Sequence, residues 1–459
     1  MKNYEVLVVG GGLGGLTTAA LLSRRGVSVC LLERQSRVGG CLANFEHPGF
    51  EFEPTYGLYR GFGPGEVFDR IFSEIGMPPP AVKRLSPAYV ARLPDGAEVP
   101  VSAEVDEFEQ SLRTAFPECP DAALSFYRSV ATPSEVQAST LVSSYLPNCS
   151  LRFQSFVDAQ LQMFLQCSSD TCSFERAADV LNPRREFWSI EGGAQKLADA
   201  LADSIRQSGG TVRLNTPVLR LAYGPDGNPA GVDLLNGEQV AATKAIVSNL
   251  TVWDTYGKLI GPRRTPREAA SVLRGLRSFG AYLLFLSMDH EAARSLSSNR
   301  ILALTKSIEN ERHDPLNDQL FFSCGRDDSV APSGKLPVTV TALTNAEDWF
   351  SFHEDQSTHE KQDQQMLEAV WSRLHGSIPE LGDAVEVIET ANPQTFYETT
   401  RRRLGMIGRA DFAGGVIPPS LCKPFPNLFV VSDTSSASFG VASVAEAASR
   451  LSETLSQSA

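Results

Sequence analysis

The sequence predicts an α/β fold into which a second, α+β unit is interleaved, and three observations carry the prediction. Residues 4–9 form an unbroken apolar run leading straight into a glycine cluster, Gly10-Gly11-Gly12-Leu13-Gly14-Gly15. Residues 13–25 read as a helix closed by Gly26, and 27–32 are a second apolar run, so the start is a β-α-β unit. The same rhythm returns at 190–250 and again from 428. Continuous apolar runs of this length are expected of parallel strands buried on both faces.

Between these segments the pattern changes. Apolar residues at 67, 71, 72 and 75 predict a helix over 66–75, stopped by Gly76 and three prolines. Residues 151–181 read as mostly helical, and a helix over 194–207 ends at Gly209-Gly210. A strand is expected over 212–221, and 232–235 with 239–247 flank Asn236-Gly237 as a hairpin. Apolar stretches at 280–287, 318–323 and 337–343 predict an antiparallel sheet, followed by a helix near 360–375. A last strand at 428–431 precedes an amphipathic helix over 441–455. One domain is therefore expected to comprise 1–65, 188–260 and 396–459, and the other 66–187 and 261–395.

Composition excludes several functions. At 459 residues with 42% apolar content the chain can fill more than one core. A net charge of −13 opposes nucleic-acid binding, which needs cationic surface to displace phosphate counterions. The eight cysteines are scattered without a CxxC pair, a pattern of reduced thiols that predicts a cytoplasmic location and gives the sequons at Asn148 and Asn249 no weight. Residues 6–23 carry no charge, yet five of them are glycines, which favours a turn over a membrane span. Only three residues precede the first strand, so no targeting peptide is expected. There is no GxSxG or HExxH, and His353 and His359 sit among solvated charges, so no metal is expected.

The glycine cluster satisfies GxGxxG, the turn that cradles a dinucleotide pyrophosphate. Gly10 would make the tight turn, Gly12 admit the pyrophosphate and Gly15 let helix approach strand, with Gly14 a further cofactor-binding candidate. Glu33 ends the second strand about 20 residues on, placed to accept from a ribose diol. Arg37-Val38-Gly39-Gly40-Cys41 adds two more glycines near the cofactor phosphates. Leu13, Arg34, Arg37, Cys41 and Val218 complete the cofactor-binding candidates on this side.

The arrangement resembles the large amine oxidase and phytoene desaturase class of flavoproteins. That resemblance extends to a C-terminal element, Asn427-Leu428-Phe429-Val430-Val431-Ser432-Asp433 with Gly440-Val441. Within the class the chain resembles the carotenoid cis-trans isomerases, related to phytoene desaturases and retinol saturases. The stretches that carry this are Gly39-Gly40-Cys41 to Phe52-Glu53, Glu191-Gly192-Gly193, and Ser248-Asn249-Leu250-Thr251-Val252-Trp253-Asp254-Thr255-Tyr256-Gly257-Lys258-Leu259. Two departures stand out: Thr55 where the family has glycine, and Ala437-Ser438 in place of a Pro-Gly pair.

The resemblance implies a Rossmann-like FAD-binding domain of the glutathione-reductase/amine-oxidase type. Asp433 would accept from a ribityl or amide group, and the helix after Gly440 and Val441 would point its N-terminus at the flavin and favour its anionic reduced form. Tyr56, Tyr59 and Phe62 would line an apolar tunnel, and Arg184-Arg185 could anchor a head group. No catalytic side chain is identified, since the flavin itself would carry the redox step. No second GxGxxG follows, so an external electron acceptor or donor is expected rather than a nicotinamide domain. The implied function is an FAD-dependent desaturase, saturase or isomerase for an apolar unsaturated substrate, carotenoid-, isoprenoid- or acyl-like, met through peripheral membrane contact. A flavin amine oxidase and a non-catalytic prenyl-binding carrier of the same fold remain open at this point.

Overall fold

The computed structural model describes residues 2–133, 140–306, 313–325, 330–350, 356–408, 417–436 and 440–457. Two seven-stranded sheets organise it. In the first, Lys2–Val9 lies parallel between Val29–Leu32 and the long strand Gln239–Ser248. The far side of that long strand is shared: Pro229–Leu234 pairs antiparallel with its start, and Leu428–Val430 pairs parallel with its end. Residues 421 apart in sequence, such as Leu7 and Leu428, thus become near neighbours at one end of one sheet.

Both faces are covered at the centre of this sheet, which is why residues 6–9, 29–32 and 245–247 are apolar. Val6 and Val8 face a cluster containing Leu16, Ala20, Leu201, Ala445 and Ala448, from the helices Leu13–Arg24, Gln195–Gln207 and Gly440–Gln457. Leu7 and Val9 face the opposite cluster, with Ile246, Trp253, Tyr256 and Leu259. The one-residue alternation of a strand sets this partition.

The expected strand over 212–221 is corrected to two. Thr211–Arg213 pairs with Val29–Leu32 at one edge, whereas Val218–Tyr223 pairs with Pro229–Leu234 at the other. Asn215 adopts a left-handed conformation (φ 50°) and Pro217 has no N–H to give a ladder, so the chain breaks and crosses the strand ends between them. The Asn215 and Thr216 amides donate to the carbonyls of Gln35 and Glu33 at 2.9 and 2.8 Å, pinning the crossing segment.

The second sheet runs Val385–Ala391, Gly280–Asp289, Lys335–Thr344, Gln319–Cys324, Arg300–Leu304, Tyr89–Arg92 and Glu98–Val101. Three of these strands are those expected from apolar stretches, and the neighbours Gly280–Asp289 and Lys335–Thr344 are antiparallel as expected. Leu302, Leu304, Phe321, Tyr89 and Ala91 pack with the helical layer that includes Val105–Ala115, Pro120–Ala131, Leu151–Leu165 and Phe174–Leu181. A short hairpin, Phe45–His47 with Phe50–Phe52, stacks Phe45 on Phe285 at 4.5 Å and sets Phe52 tilted against the same ring at 5.0 Å. Among the described residues no helix is long and apolar enough to cross a membrane.

Candidate active site

A cavity of about 650 Å³ runs from the glycine turn of the first sheet to the inner face of the second. The turn forms because Gly10 holds φ 99°, a conformation that strains any side chain. A Cβ at Gly14 would lie 2.6 Å from the Val431 carbonyl, and one at Gly15 would collide with the Gly10 carbonyl. Gly39 and Gly40, both at positive φ, fold back across the turn, and the Gly39 amide donates to the Gly11 carbonyl at 2.8 Å.

Most of the residues singled out by sequence converge here. Gly10, Gly12, Leu13, Gly14, Glu33, Arg34, Gly39, Gly40, Cys41, Val218, Asp433, Gly440 and Val441 all line the cavity, as do Tyr56 and Tyr59. Gly15 and Arg37 do not. Gly15 sits beneath the turn as a packing residue, and Arg37 pairs with Glu46 while donating to the Asn44 carbonyl at 2.6 Å. Phe62 also lies outside the wall, stacked on Phe68 at 4.5 Å. Arg185 is 3.6 Å from Asp179, and neither it nor Arg184 reaches the cavity. Ala437, Ser438 and His353 lie outside the described residues.

Three residues have geometry that sequence reasoning did not supply. Glu33 lines the cavity, but its two oxygens already accept from the Gly11 and Gln35 amides at 2.6 and 2.7 Å, so the carboxylate shapes the turn as well as facing the ligand space. A Cβ at Gly12 would point into protein, 2.5 Å from Asn249 Oδ1, rather than into the space reserved for pyrophosphate. Asp433 is held by both terminal nitrogens of Arg402, at 3.1 and 2.9 Å, while Arg402 Nε donates to the Met406 carbonyl at 2.8 Å. Arg402, Asn249, Asp254 and Lys258 all line the cavity and were missed as site residues.

The run 248–259 supplies part of this wall. Thr251 caps a short helix and donates to Asp254 Oδ2 at 2.6 Å, and that oxygen also accepts from the Arg403 amide at 3.1 Å. Lys258 lies 2.8 Å from Asp254 Oδ1 and donates to the Arg401 carbonyl at 2.7 Å. This network seats Arg402 beside Asp433. Burial pushes the Cys41 thiol up, opposed by the Arg402 guanidinium, so Cys41 is a protonated, weakly nucleophilic group beside the two glycines.

The remaining walls are chemically different. Tyr56, Leu58, Met163, Phe164, Ala281 and Leu283 present hydrocarbon, with Gln166, Thr341 and Thr55 as the polar additions. Tyr56 meets Phe321 edge-on at 4.8 Å, and burial drives its hydroxyl far above the usual phenol range.

This donor set fits FAD. A helix N-terminus opens at a glycine turn where bulkier residues would collide, carboxylates stand at separated points, and Arg34, Arg401 and Arg402 border the same space. A family model described as flavin containing amine oxidoreductase matches residues 13–450. The chain is 24% identical over 449 residues to the chloroplastic prolycopene isomerase of Daucus carota, covering 89% of this chain and 72% of that one. It is 22% identical over 479 residues to the all-trans-retinol 13,14-reductase of Danio rerio, covering 89% and 78%. A crystal structure of an oxidoreductase from Methanosarcina mazei matches with a TM-score of 0.71 at 18% identity, covering 99% of this chain and all of that one, a likeness of fold. Glycine turn, fold and family together make the chain an FAD-dependent oxidoreductase, and it belongs to the flavin containing amine oxidoreductase family.

Proposed function

We propose that the chain carries out desaturation, saturation or cis-trans isomerisation of a long, apolar, unsaturated substrate of the carotenoid, isoprenoid or acyl kind. The observation that carries the reading is the chemistry of the chamber opposite the glycine turn. Among the described residues, the wall given by the second sheet and the helical layer, namely Met163, Phe164, Gln166, Ala281, Leu283 and Thr341, contains no acid or base. An ammonium substrate entering it would lose its hydration without gaining a carboxylate, whereas a polyene loses nothing. The relatives named for prolycopene isomerisation and retinol reduction support the same class.

In this reading 1–65, 188–260 and 396–459 act as the cofactor unit, and 66–187 with 261–395 as the substrate unit. Gly10, Gly12, Gly14, Gly39 and Gly40 would cradle the pyrophosphate, Glu33 the ribose, and Asp433 with Arg402 the ribityl region. Bound FAD supplies the two-electron chemistry. The chain's own residues orient the polyene against it, exclude water with Leu58, Met163, Phe164 and Leu283, and hold the charged wall at Asp254, Lys258 and Arg402 away from the hydrocarbon. The enzyme meets its substrate at the cytoplasmic face of a membrane, and an external acceptor or donor exchanges electrons with it.

The test is product mass and geometry. Under anaerobic reduction, a poly-cis polyene should change geometry without changing mass. A product lighter by two hydrogens, formed only with an acceptor, assigns desaturation instead. Release of ammonia from an amine would overturn the substrate class.

A further inference from the structure

Residues 53–59 place a hydrogen-bonded chain of three side chains at the edge of the apolar chamber, and nothing in the redox chemistry calls for it. The Tyr59 hydroxyl donates to Glu53 Oε1, and Thr55 Oγ1 lies 2.7 Å from the same hydroxyl. Glu53 Oε1 also accepts from the Ala194 amide at 3.0 Å, and Glu53 and Arg300 approach each other across Gly57. Thr55 and Tyr59 line the cavity, whereas Glu53 stands behind them.

Counting hydrogens fixes the direction of the chain. Glu53 Oε1 accepts from both the Tyr59 hydroxyl and the Ala194 amide, so Tyr59 spends its single hydrogen on Glu53. Thr55 must then donate across the 2.7 Å contact, and its oxygen further accepts from the Gly57 amide at 3.3 Å. No hydrogen is left to offer the cavity. What Thr55 presents there is an oxygen lone pair, set among Tyr56, Leu58 and Phe164. A pure hydrocarbon leaves that acceptor desolvated and unpaired, and a carbonyl sets acceptor against acceptor. A hydroxyl hydrogen satisfies it.

We propose that the substrate is an alcohol of the apolar class, and that Thr55, aligned by Tyr59 and Glu53, docks its hydroxyl. The proposal rests on the apolar-substrate reading above. The experiment uses the FAD-loaded protein at pH 8 and three C20 isoprenoid probes that differ only at one end: geranylgeraniol, the corresponding aldehyde, and the hydrocarbon ending in methyl. Dissociation constants are read from the change in flavin absorbance on titration. The alcohol should bind about tenfold more tightly than either other probe, the worth of one hydrogen bond. Thr55→Val should remove the preference without weakening the hydrocarbon, and Thr55→Ser should restore it. Equal binding of alcohol and hydrocarbon to the wild type, or a preference that survives Thr55→Val, overturns the docking role while leaving the apolar reading intact. If none of the three probes binds, the apolar reading falls and the docking role with it. Should Thr55→Val fail to retain FAD, the wild-type ranking and Thr55→Ser decide the matter.

Discussion

The Asn249 side-chain amide donates to the Val431 carbonyl at 2.6 Å, beneath the glycine turn. The Asn249 backbone amide meanwhile donates to the Val9 carbonyl at 2.8 Å, so one residue joins the ends of three parallel strands.

Asn249→Ala should therefore cost about 2 kcal/mol, because it leaves the Val431 carbonyl without that donor. Urea unfolding of the holoprotein measures this, and FAD release followed by fluorescence should be faster. Gly12→Ala alone should also release FAD, by forcing Asn249 aside. The double variant should be less defective than the sum of the two singles, since Asn249→Ala removes the atom that Gly12→Ala strikes.

Two glycines separate close approach from backbone freedom. Gly15→Ala should abolish FAD retention, as its Cβ collides with the Gly10 carbonyl and no flexible side chain can give way. Gly26→Ala meets nothing within 4 Å and pays only for its φ of 81°, on the order of 1 kcal/mol. Flavin content of the two purified variants checks the ordering.

Removing one half of the Arg402–Asp433 pair should destabilise by about 2 kcal/mol, the worth of a charge-assisted contact. Arg402→Lys should recover only part of it, because an ammonium cannot bond both carboxylate oxygens in the same plane. Thermal unfolding and the flavin absorbance band together report the effect.

Glu53 gives the chain a pH signature. Burial raises its carboxyl above the usual carboxylate value, with the Tyr59 hydroxyl, the Arg300 guanidinium and the Ala194 amide opposing. The unfolded chain then loses this proton first as pH rises, so stability falls across the window from the ordinary glutamate value up to the folded one. Glu53→Gln should flatten that segment of the curve. Denaturant midpoints between pH 4 and pH 7 measure it, and an unchanged slope would remove the role given to Glu53.

The β-α-β start, the Asn236-Gly237 hairpin and the clustering of Gly39, Gly40 and Asp433 around one cavity were legible because each is written in local periodicity or in a spaced motif. The break near Asn215 was not, since a run of apolar residues continues on both sides of it and only the left-handed turn separates two edges of the sheet. Arg402 gave no signal for a different reason. Its partner stands 31 residues away, and nothing about three consecutive arginines at 401–403 marks the one that turns inward. Asn249 was visible as part of a run, but its work depends on three strand ends meeting, which no window of sequence contains.

The pairing of Leu428–Val430 with the end of Gln239–Ser248 has a consequence for synthesis. The glycine turn leaves the ribosome well before Val431, Asp433 and the Gly440–Gln457 helix that complete its surroundings. A chain interrupted anywhere before them has no acceptor for Asn249 and an unfinished flavin cradle. Yellow colour is thus a certificate that synthesis has passed the Gly440–Gln457 helix, and a cell that degrades colourless copies would be discarding chains interrupted before it.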